Sequence, residues 1–206
     1  MSGKIPAVIL AGGLSTRMGG GDKPLRPIAG RPLMAHAIGR LAPQAGALAI
    51  NANGDPQRFE SFGLPVIGDT VSGFAGPLAG ILAGMEWAQD SESPHIVSIA
   101  GDTPFFPADM VDRMLEAAGA GEKIVLAASA GRIHPVFGLW PLGLRSDLKR
   151  FLAANRRVMS FAEAAGYVVV DFPLATAGGN SVDPFFNINT VDDLATAETI
   201  CREWKL

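Results

Sequence analysis

The sequence predicts an α/β fold in which helices cover both faces of one mostly parallel sheet. Short apolar runs alternate along the chain with helical segments. The strand-like runs are continuously apolar, which is typical of strands that are buried on both faces. The composition, 48% hydrophobic and 18% charged over 206 residues, allows the substantial core of one domain.

Several segments have the length and continuous apolarity of buried strands. The run AVIL comes first, and HIVSIAGD is the clearest. The predicted strands are 7–10, 47–53, 65–69, 95–102, 123–129 and 167–173. Because ligands of such sheets bind at the carboxyl ends of strands, the loops after Leu10, Asn53, Asp69 and Asp102 are candidate binding loops.

The helices are indicated by their first residues and by their apolar faces. Pro32 and Pro77 stand in first turns, where the missing N–H needs no partner. Apolar residues recur on one face of segment 107–119. Thr190, followed three residues later by Asp193, forms a capping-box pattern. The predicted helices are 32–42, 77–88, 107–119, 144–155 and 190–204.

Charge and cysteine content exclude several classes of protein. The net charge of −3 argues against a nucleic-acid partner. No uncharged apolar run reaches the ~18 residues of a membrane span, and the first residues lack the pattern of a signal peptide. Cys201, the single cysteine, excludes an intramolecular disulfide and fits a reducing compartment. We therefore expect a cytoplasmic protein with no membrane partner.

The stretch VILAGGLSTRMGGGDKPL, residues 8–25, leaves a strand and enters a glycine-rich segment. Glycines let backbone N–H groups approach a phosphate closely. Arg17 and Lys23 add cations that can reach phosphate oxygens. The segment is not the common phosphate loop, since it lacks G-x-x-x-x-G-K-[ST]. It predicts a nucleoside triphosphate site, and the alternative is a surface loop with incidental charges.

The pattern from Leu10 to Lys23 resembles the L-A-G-G-x-S-x-R-M-G-x-x-D-K signature of the molybdenum cofactor guanylyltransferases. The blocks NAN, VIGD, GPLAG, GDTP, RRVM and FNINT follow in the same order, so the resemblance covers nearly the whole chain. It implies transfer of GMP from GTP to molybdenum-molybdopterin with Mg²⁺ and release of pyrophosphate. It also implies a single nucleotidyltransferase domain over 1–206, a three-layer αβα fold with a Rossmann-like sheet. Its N-terminal part would bind GTP, and its C-terminal part would contribute to the molybdopterin site.

Two acids stand at the ends of predicted strands. The carboxylate of Asp102 is a hard-oxygen ligand, and its position beside the glycine-rich loop favours binding of Mg²⁺ over a capping role in the turn before Pro104. Asp69 either hydrogen-bonds the nucleoside, assists the metal or is an ordinary turn aspartate. The resemblance implies that Asp102 binds the metal and that Asp69 and Asn51 contact the nucleotide.

The resemblance also implies the remaining site residues. The expected catalytic residues are Lys23, Arg17 and Asp102. The expected GTP-binding residues are Leu10, Ala11, Gly12, Gly13, Lys23, Asn51, Asp69 and Asp102. The expected molybdopterin-binding residues are Gly80, His134, Arg156, Arg157, Asn187 and Asn189. If FNINT is a strand, only one of its two asparagines points into the site.

The expected chemistry is positioning and electrostatics, because the attacking phosphate monoester is already anionic. In this hypothesis Mg²⁺ on Asp102 bridges phosphate oxygens near the α-phosphorus. Lys23 and Arg17 stabilise the leaving phosphates, and the amides of LAGG hold the triphosphate. His36, His95 and Cys201 are predicted to be structural.

Three other functions compete with this hypothesis. A molybdenum cofactor cytidylyltransferase is the nearest, although that group tends to carry L-A-A-G where this chain has LAGG. A sugar-1-phosphate nucleotidyltransferase has a similar loop, and a non-catalytic nucleotide-binding module would need no metal ligand. The resemblance also implies a molybdenum insertion protein and molybdoenzyme chaperones as partners.

Overall fold

A computed structural model of the protein describes residues 5–12, 22–71, 76–119, 121 and 123–204. The strands in these residues are β1 (Ala7–Leu10), β2 (Pro27–Ile28), β3 (Arg31–Pro32), β4 (Leu48–Asn51), β5 (Val66–Ile67), β6 (His95–Ala100), β7 (Ile124–Ser129), β8 (Arg132–Pro141), β9 (Tyr167–Phe172), β10 (Ala175–Ala177) and β11 (Asn180–Val182). The α-helices are α1 (Leu33–Leu41), α2 (Pro77–Trp87), α3 (Met110–Ala118), α4 (Arg145–Phe151), α5 (Val158–Ala165) and α6 (Val191–Trp204).

The main sheet has seven strands in the order β5-β4-β1-β6-β8-β7-β9. Strand β8 runs antiparallel to both of its neighbours, and the other pairs are parallel. The mostly parallel sheet is therefore confirmed. Leu10 lies beside Asn51 on one side and beside Ala100 on the other, so the carboxyl ends of β1, β4 and β6 coincide.

Both faces of the sheet are covered by helices, which confirms the three-layer arrangement. In β1, Ala7 and Ile9 pack in the core that contains α1 and α3. Val8 and Leu10 point the other way and pack with α2, α4 and α5. Because successive side chains of a strand alternate between faces, continuous apolarity in β1 serves both cores. Each large side chain buried there contributes about 1.5–3 kcal/mol.

The sequence did not predict the four short strands β2, β3, β10 and β11, the long strand β8 or helix α5. Strand β8 contains Pro135 and Gly138, which weaken a strand pattern. Its pairing with β7 shifts between Leu126 and Ala127, so residues 135–137 form a bulge. The bulge accommodates a proline that cannot donate to the ladder. Helix α5 begins directly after the RRVM block's two arginines, and no element was predicted over its residues.

The capping box of α6 is confirmed. The backbone N–H of Asp193 donates to Thr190 Oγ1 at 3.1 Å, and the N–H of Thr190 donates to Asp193 Oδ2 at 2.7 Å. His36, in α1, bonds the carbonyl of Ile28 through Nε2 at 3.0 Å, and Cys201 is buried in α6, as expected of structural residues. Within the described residues, no helix combines the length and apolarity needed to cross a membrane.

Candidate active site

A cavity of about 570 Å³ lies at the aligned carboxyl ends of β1, β4 and β6. Each loop that the sequence indicated contributes to its lining, with Gly12, Asn53, Asp69 and Asp102 among the lining residues. Leu10, Ala11 and Asn51 also line it. The crevice beyond the carboxyl ends of parallel strands is where α/β proteins bind ligands. Two predicted site residues, Gly13 and Arg17, lie outside the described residues.

One side of the cavity carries a group of four polar residues, which we call the lysine group. Lys23 Nζ donates to Asp102 Oδ2, to Asn187 Oδ1 and to Asn189 Oδ1, each at 2.6 Å. Both asparagines therefore reach the same ammonium, although of the two only Asn187 is among the described residues that line the cavity. Both can reach it because 187–189 is not a strand, so its side chains need not alternate.

Local backbone contacts hold the lysine group together. Lys23 begins a short 3-10 helix, Lys23–Leu25, whose N-cap is Asp22. The N–H of Ile188 donates to the carbonyl of Asp102 at 3.4 Å, which ties the two asparagines to the end of β6. On the other side, Asn189 N–H donates to Asp193 Oδ2 at 2.7 Å.

The carboxylate of Asp193 is tuned by these contacts. Partial burial acts to raise the pKa of Asp193. Hydrogen bonds from Asn189 and Thr190 and the nearby charge of Lys23 lower this pKa, and together they outweigh the effect of burial. The net pKa lies below the ordinary value, so Asp193 is ionised at neutral pH. It therefore anchors the end of residues 183–189, which we call the asparagine segment, to the start of α6.

A second polar group, which we call the aspartate group, lies at the ends of β4 and β5. Asn51 Nδ2 donates to Asp69 Oδ1 at 3.0 Å, and Asn53 Nδ2 donates to Asp69 Oδ2 at 2.8 Å. The backbone N–H of Asp69 donates back to Asn53 Oδ1 at 2.8 Å. Both oxygens of one carboxylate are thus held by amides, which fixes its plane beside the cavity.

Gly80, in α2, is packed against the aspartate group. A Cβ atom at this position would lie 2.8 Å from Leu10 Cδ2 and 2.9 Å from Asn51 Cγ. Real Cβ atoms do not approach other atoms so closely, so only glycine fits without moving Asn51. Gly80 was expected at the molybdopterin site, and the structure places it behind Asn51.

Arg58 is a cavity-lining residue that the sequence analysis missed. Its guanidinium donates to the carbonyl of Asn53 at 2.6 Å, to the carbonyl of Asp55 at 2.9 Å and to the carboxylate of Asp22. Arg58 is the only Lys or Arg between Arg40 and Arg113. The only sequence signal for a role of Arg58 in the site was its position as a lone cation shortly after the NAN block, and this position matches no motif of defined spacing.

His134 lies in a buried network on β7 and β8, next to the asparagine segment. The hydroxyl of Ser129 donates to Asp183 Oδ1 at 2.6 Å and lies 2.8 Å from His134 Nε2. The His134 ring stacks on Phe185 with centroids 4.7 Å apart. Burial lowers the pKa of His134, and Asp183 only partly opposes this, so the imidazole is neutral at neutral pH.

Arg156 and Arg157 are exposed and stand directly before α5. Neither is among the described residues that line the cavity. Arg145, Lys149 and Arg150 lie on the outer side of α4, where they contact Gln89, Glu86 and Asp147. They form a charged face of this helix.

The described part of the chain contains no cluster of three or more His, Cys, Asp or Glu side chains able to hold a metal. Any cation at the lysine group would therefore have Asp102 as its carboxylate, together with neutral oxygens. This donor set resembles Mg²⁺ sites, which use one or two carboxylates and complete their shell with water and substrate phosphates.

The sequence matches the model of one protein family, described as the MobA-like NTP transferase domain, over residues 7–168. It is 52% identical over 200 residues to the molybdenum cofactor guanylyltransferase of Rhodopseudomonas palustris, a match that covers 95% of this chain and 93% of that protein. The protein of the same name from Mesorhizobium japonicum is 51% identical over 202 residues, covering 96% of each.

The fold is similar to that of a solved structure from Archaeoglobus fulgidus, named molybdopterin-guanine dinucleotide biosynthesis protein A. The TM-score is 0.71 at 22% sequence identity, over 96% of this chain and 99% of that chain. The sheet and its helical layers are thus shared across this distance in sequence.

Proposed function

The chain belongs to the MobA-like NTP transferase family, and on that premise we propose that it transfers GMP from GTP to molybdenum-bound molybdopterin. The whole chain acts as one nucleotidyltransferase domain, whose N-terminal part binds GTP and whose C-terminal part contributes to the molybdopterin site. The observation that carries this proposal is the lysine group, where three oxygens converge on one ammonium at 2.6 Å beside the cavity.

The reaction makes one bond and breaks one. A phosphate oxygen of molybdopterin attacks the α-phosphorus of GTP, and the bond between the α-phosphorus and the bridging oxygen breaks. Pyrophosphate leaves with the electron pair, and no proton has to be moved by the protein. Two anions must be brought together and the charge on the leaving group stabilised, which is a task for positioning and fixed charges.

The residues of the cavity divide this task. Lys23 exchanges its asparagine contacts for phosphate oxygens of the leaving group, and Arg17 adds a second cation. The backbone of Leu10, Ala11 and Gly12, which line the cavity, lies along the triphosphate. Gly13 lies outside the described residues and is assigned to GTP binding from the sequence alone. Asn51 and Asp69 contact the nucleoside. Their side chains are already held by the hydrogen bonds that Asn51 and Asn53 donate to the Asp69 carboxylate.

The lysine group fits a divalent cation such as Mg²⁺. Its three oxygens already surround a positive charge, that of Lys23. Asp102 would be the protein's carboxylate ligand, with phosphate oxygens and water completing the shell. When bound, Mg²⁺ supplies charge that offsets the phosphates.

The molybdopterin site is assigned to His134, Arg156, Arg157, Asn187 and Asn189, whereas Gly80 is assigned to the nucleoside end, where it packs against Asn51. Asn187 lines the cavity and also belongs to the lysine group, which supports a contact with both substrates. The exposed arginines before α5 offer positive charge to an anionic substrate. The cytoplasmic location, the molybdenum insertion protein and the molybdoenzyme chaperones stay predictions of the sequence.

The test is release of pyrophosphate from GTP, CTP or ATP in the presence of molybdenum-molybdopterin and Mg²⁺. We expect release with GTP, one pyrophosphate for each dinucleotide formed. A preference for CTP would identify a cytidylyltransferase, and release that requires a sugar 1-phosphate would identify a sugar-1-phosphate nucleotidyltransferase. Binding of GTP with no release in any mixture would identify a non-catalytic binding module.

A further inference from the structure

Arg58 joins the two polar groups of the cavity. On one side its guanidinium donates to the carbonyl of Asn53, whose side chain holds Asp69. On the other side it donates to the carboxylate of Asp22, the residue directly before Lys23. The two groups are formed by segments far apart in the sequence, and Arg58 is bonded to Asn53 of the aspartate group and to Asp22, the chain neighbour of Lys23 in the lysine group.

The guanidinium itself is firmly held. Its Nε–H donates to the carbonyl of Asp55 at 2.9 Å, and its carbon lies 5.1 Å from the ring centroid of the buried Phe59. Three acceptors and one aromatic face thus fix the plane of the group. Asp22 occupies the N-cap position of the turn that carries Lys23; its side chain does not bond the turn, but its carbonyl accepts from Leu25 N–H at 3.0 Å. The position of Lys23 therefore depends on where Arg58 holds Asp22.

A nucleoside triphosphate has to contact both polar groups at once, so the distance between them matters. We propose that Arg58 is a positioning residue, which sets the lysine group and the aspartate group at the separation that a nucleoside triphosphate spans. This inference rests on the proposed function, since it takes the lysine group as the phosphate end and the aspartate group as the nucleoside end. Arg58 acts through Asp22 and Asn53. Its benefit is preorganisation, which removes an ordering cost from binding.

The same residue could instead contact phosphate directly, because its side chain lines the cavity and is 32% exposed. The two roles predict opposite effects of Asp22→Asn on the affinity for GTP. If Arg58 works through Asp22, Asp22→Asn reproduces the loss seen in Arg58→Lys. If Arg58 binds phosphate, Asp22→Asn removes a competing carboxylate and GTP binds as tightly as before or more tightly.

The experiment measures dissociation constants of GTP and GMP by displacement of a fluorescent guanine nucleotide, with Mg²⁺ present. The proteins are the wild type, Arg58→Lys, Asp22→Asn and the double variant. Arg150→Lys is the matched control, because Arg150 also pairs with a carboxylate, that of Asp147, but lies on the exposed side of α4. Circular dichroism and Tm show that each variant is folded.

We expect GTP to bind roughly tenfold more weakly to either single variant, and GMP to change by less than about threefold, because GMP contacts the nucleoside end alone. The double variant is expected to bind GTP no more weakly than the single variants, since both substitutions break the same link between Arg58 and Asp22. Equal losses for GTP and GMP, additive losses, or unchanged GTP affinity in Asp22→Asn would overturn the inference. Failure of the wild type to bind GTP would instead overturn the proposed function.

Discussion

Replacing Gly80 by alanine tests how the nucleoside end of the cavity is held. The added methyl would fall within contact distance of the Asn51 side chain and 2.8 Å from Leu10 Cδ2. Helix α2 cannot move away easily, because Gly80 and its neighbours are fully packed against the sheet. Asn51 therefore has to rotate, and it then loses its hydrogen bonds to Asp69 Oδ1 and to the carbonyl of Ile67.

The size of the effect follows from these contacts. A lost hydrogen bond to a charged group costs about 1.5–3 kcal/mol, and the better helix propensity of alanine returns about 1 kcal/mol. Overpacking adds about 1–3 kcal/mol of strain. Part of this strain lowers the free energy of unfolding, and part is relieved by the displacement of Asn51. We expect kcat/KM for GTP to fall by about ten- to hundred-fold, which corresponds to about 1.4–2.8 kcal/mol.

Gly84→Ala is the matched control, because Gly84 lies one turn later in the same helix. A Cβ there would lie 2.7 Å from Val8 Cγ1 and 2.9 Å from Val8 Cβ, so it crowds a core side chain that does not line the cavity. Both variants should lose comparable stability in urea unfolding. Only Gly80→Ala should lose pyrophosphate release at low GTP concentration.

Two results would refute this reasoning. If Gly80→Ala and Gly84→Ala have the same KM for GTP, the glycine does not position Asn51. If Gly80→Ala raises the KM for molybdopterin and leaves that for GTP unchanged, Gly80 belongs to the second substrate's site. That outcome would match the role the sequence analysis expected.

Three further predictions concern titratable side chains. Lys23→Ala should lower kcat/KM by at least about ten- to hundred-fold in the pyrophosphate assay, and near-normal turnover would exclude Lys23 from the reaction. Asp102→Asn keeps the shape of the side chain, so it should raise the Mg²⁺ concentration needed for half-maximal rate; an unchanged Mg²⁺ titration would contradict the metal role. Burial lowers the pKa values of His36, His95 and His134. Their neutral forms therefore stabilise the fold fully above about pH 6.5, and this contribution is lost as pH falls towards the lower folded-state values. The free energy of unfolding should decrease between pH 7.5 and pH 5 in urea titrations, and a constant value would contradict this.

The sequence predicted those parts of the fold that depend on one segment at a time. Strand β1 is recognisable because four apolar residues in a row serve two cores. The loops after Leu10, Asn53, Asp69 and Asp102 could be singled out because a general rule places ligands at the carboxyl ends of parallel strands. The cavity lies there.

The missed features depend on contacts between distant segments. Lys23 and Asn189 are 166 residues apart, and no periodicity in the sequence relates them. Arg58 looks like an ordinary surface cation, since its partners are two backbone carbonyls and the side chain of Asp22, 36 positions away. Strand β8 was hidden by Pro135, whose tolerance depends on a bulge that only the paired sheet creates.

The asparagine segment shows why such a site can be held without regular secondary structure. At its start, Asp183 Oδ1 accepts from the Ser129 hydroxyl at 2.6 Å and from the N–H of Phe185 at 2.8 Å. At its end, Asp193 accepts from the N–H of Asn189. Two carboxylates thus fix the chain on both sides of Asn187 by side-chain to backbone bonds.

This arrangement also determines the charge around Lys23. Its direct acceptors in the described residues are one carboxylate, that of Asp102, and two neutral amides. If Asn187 and Asn189 were aspartates, three negative charges would meet a triphosphate at close range, and their repulsion would oppose binding. The neutral amides orient the ammonium without adding negative charge. Lys23 can therefore exchange amide oxygens for phosphate oxygens while its ion pair with Asp102 stays in place.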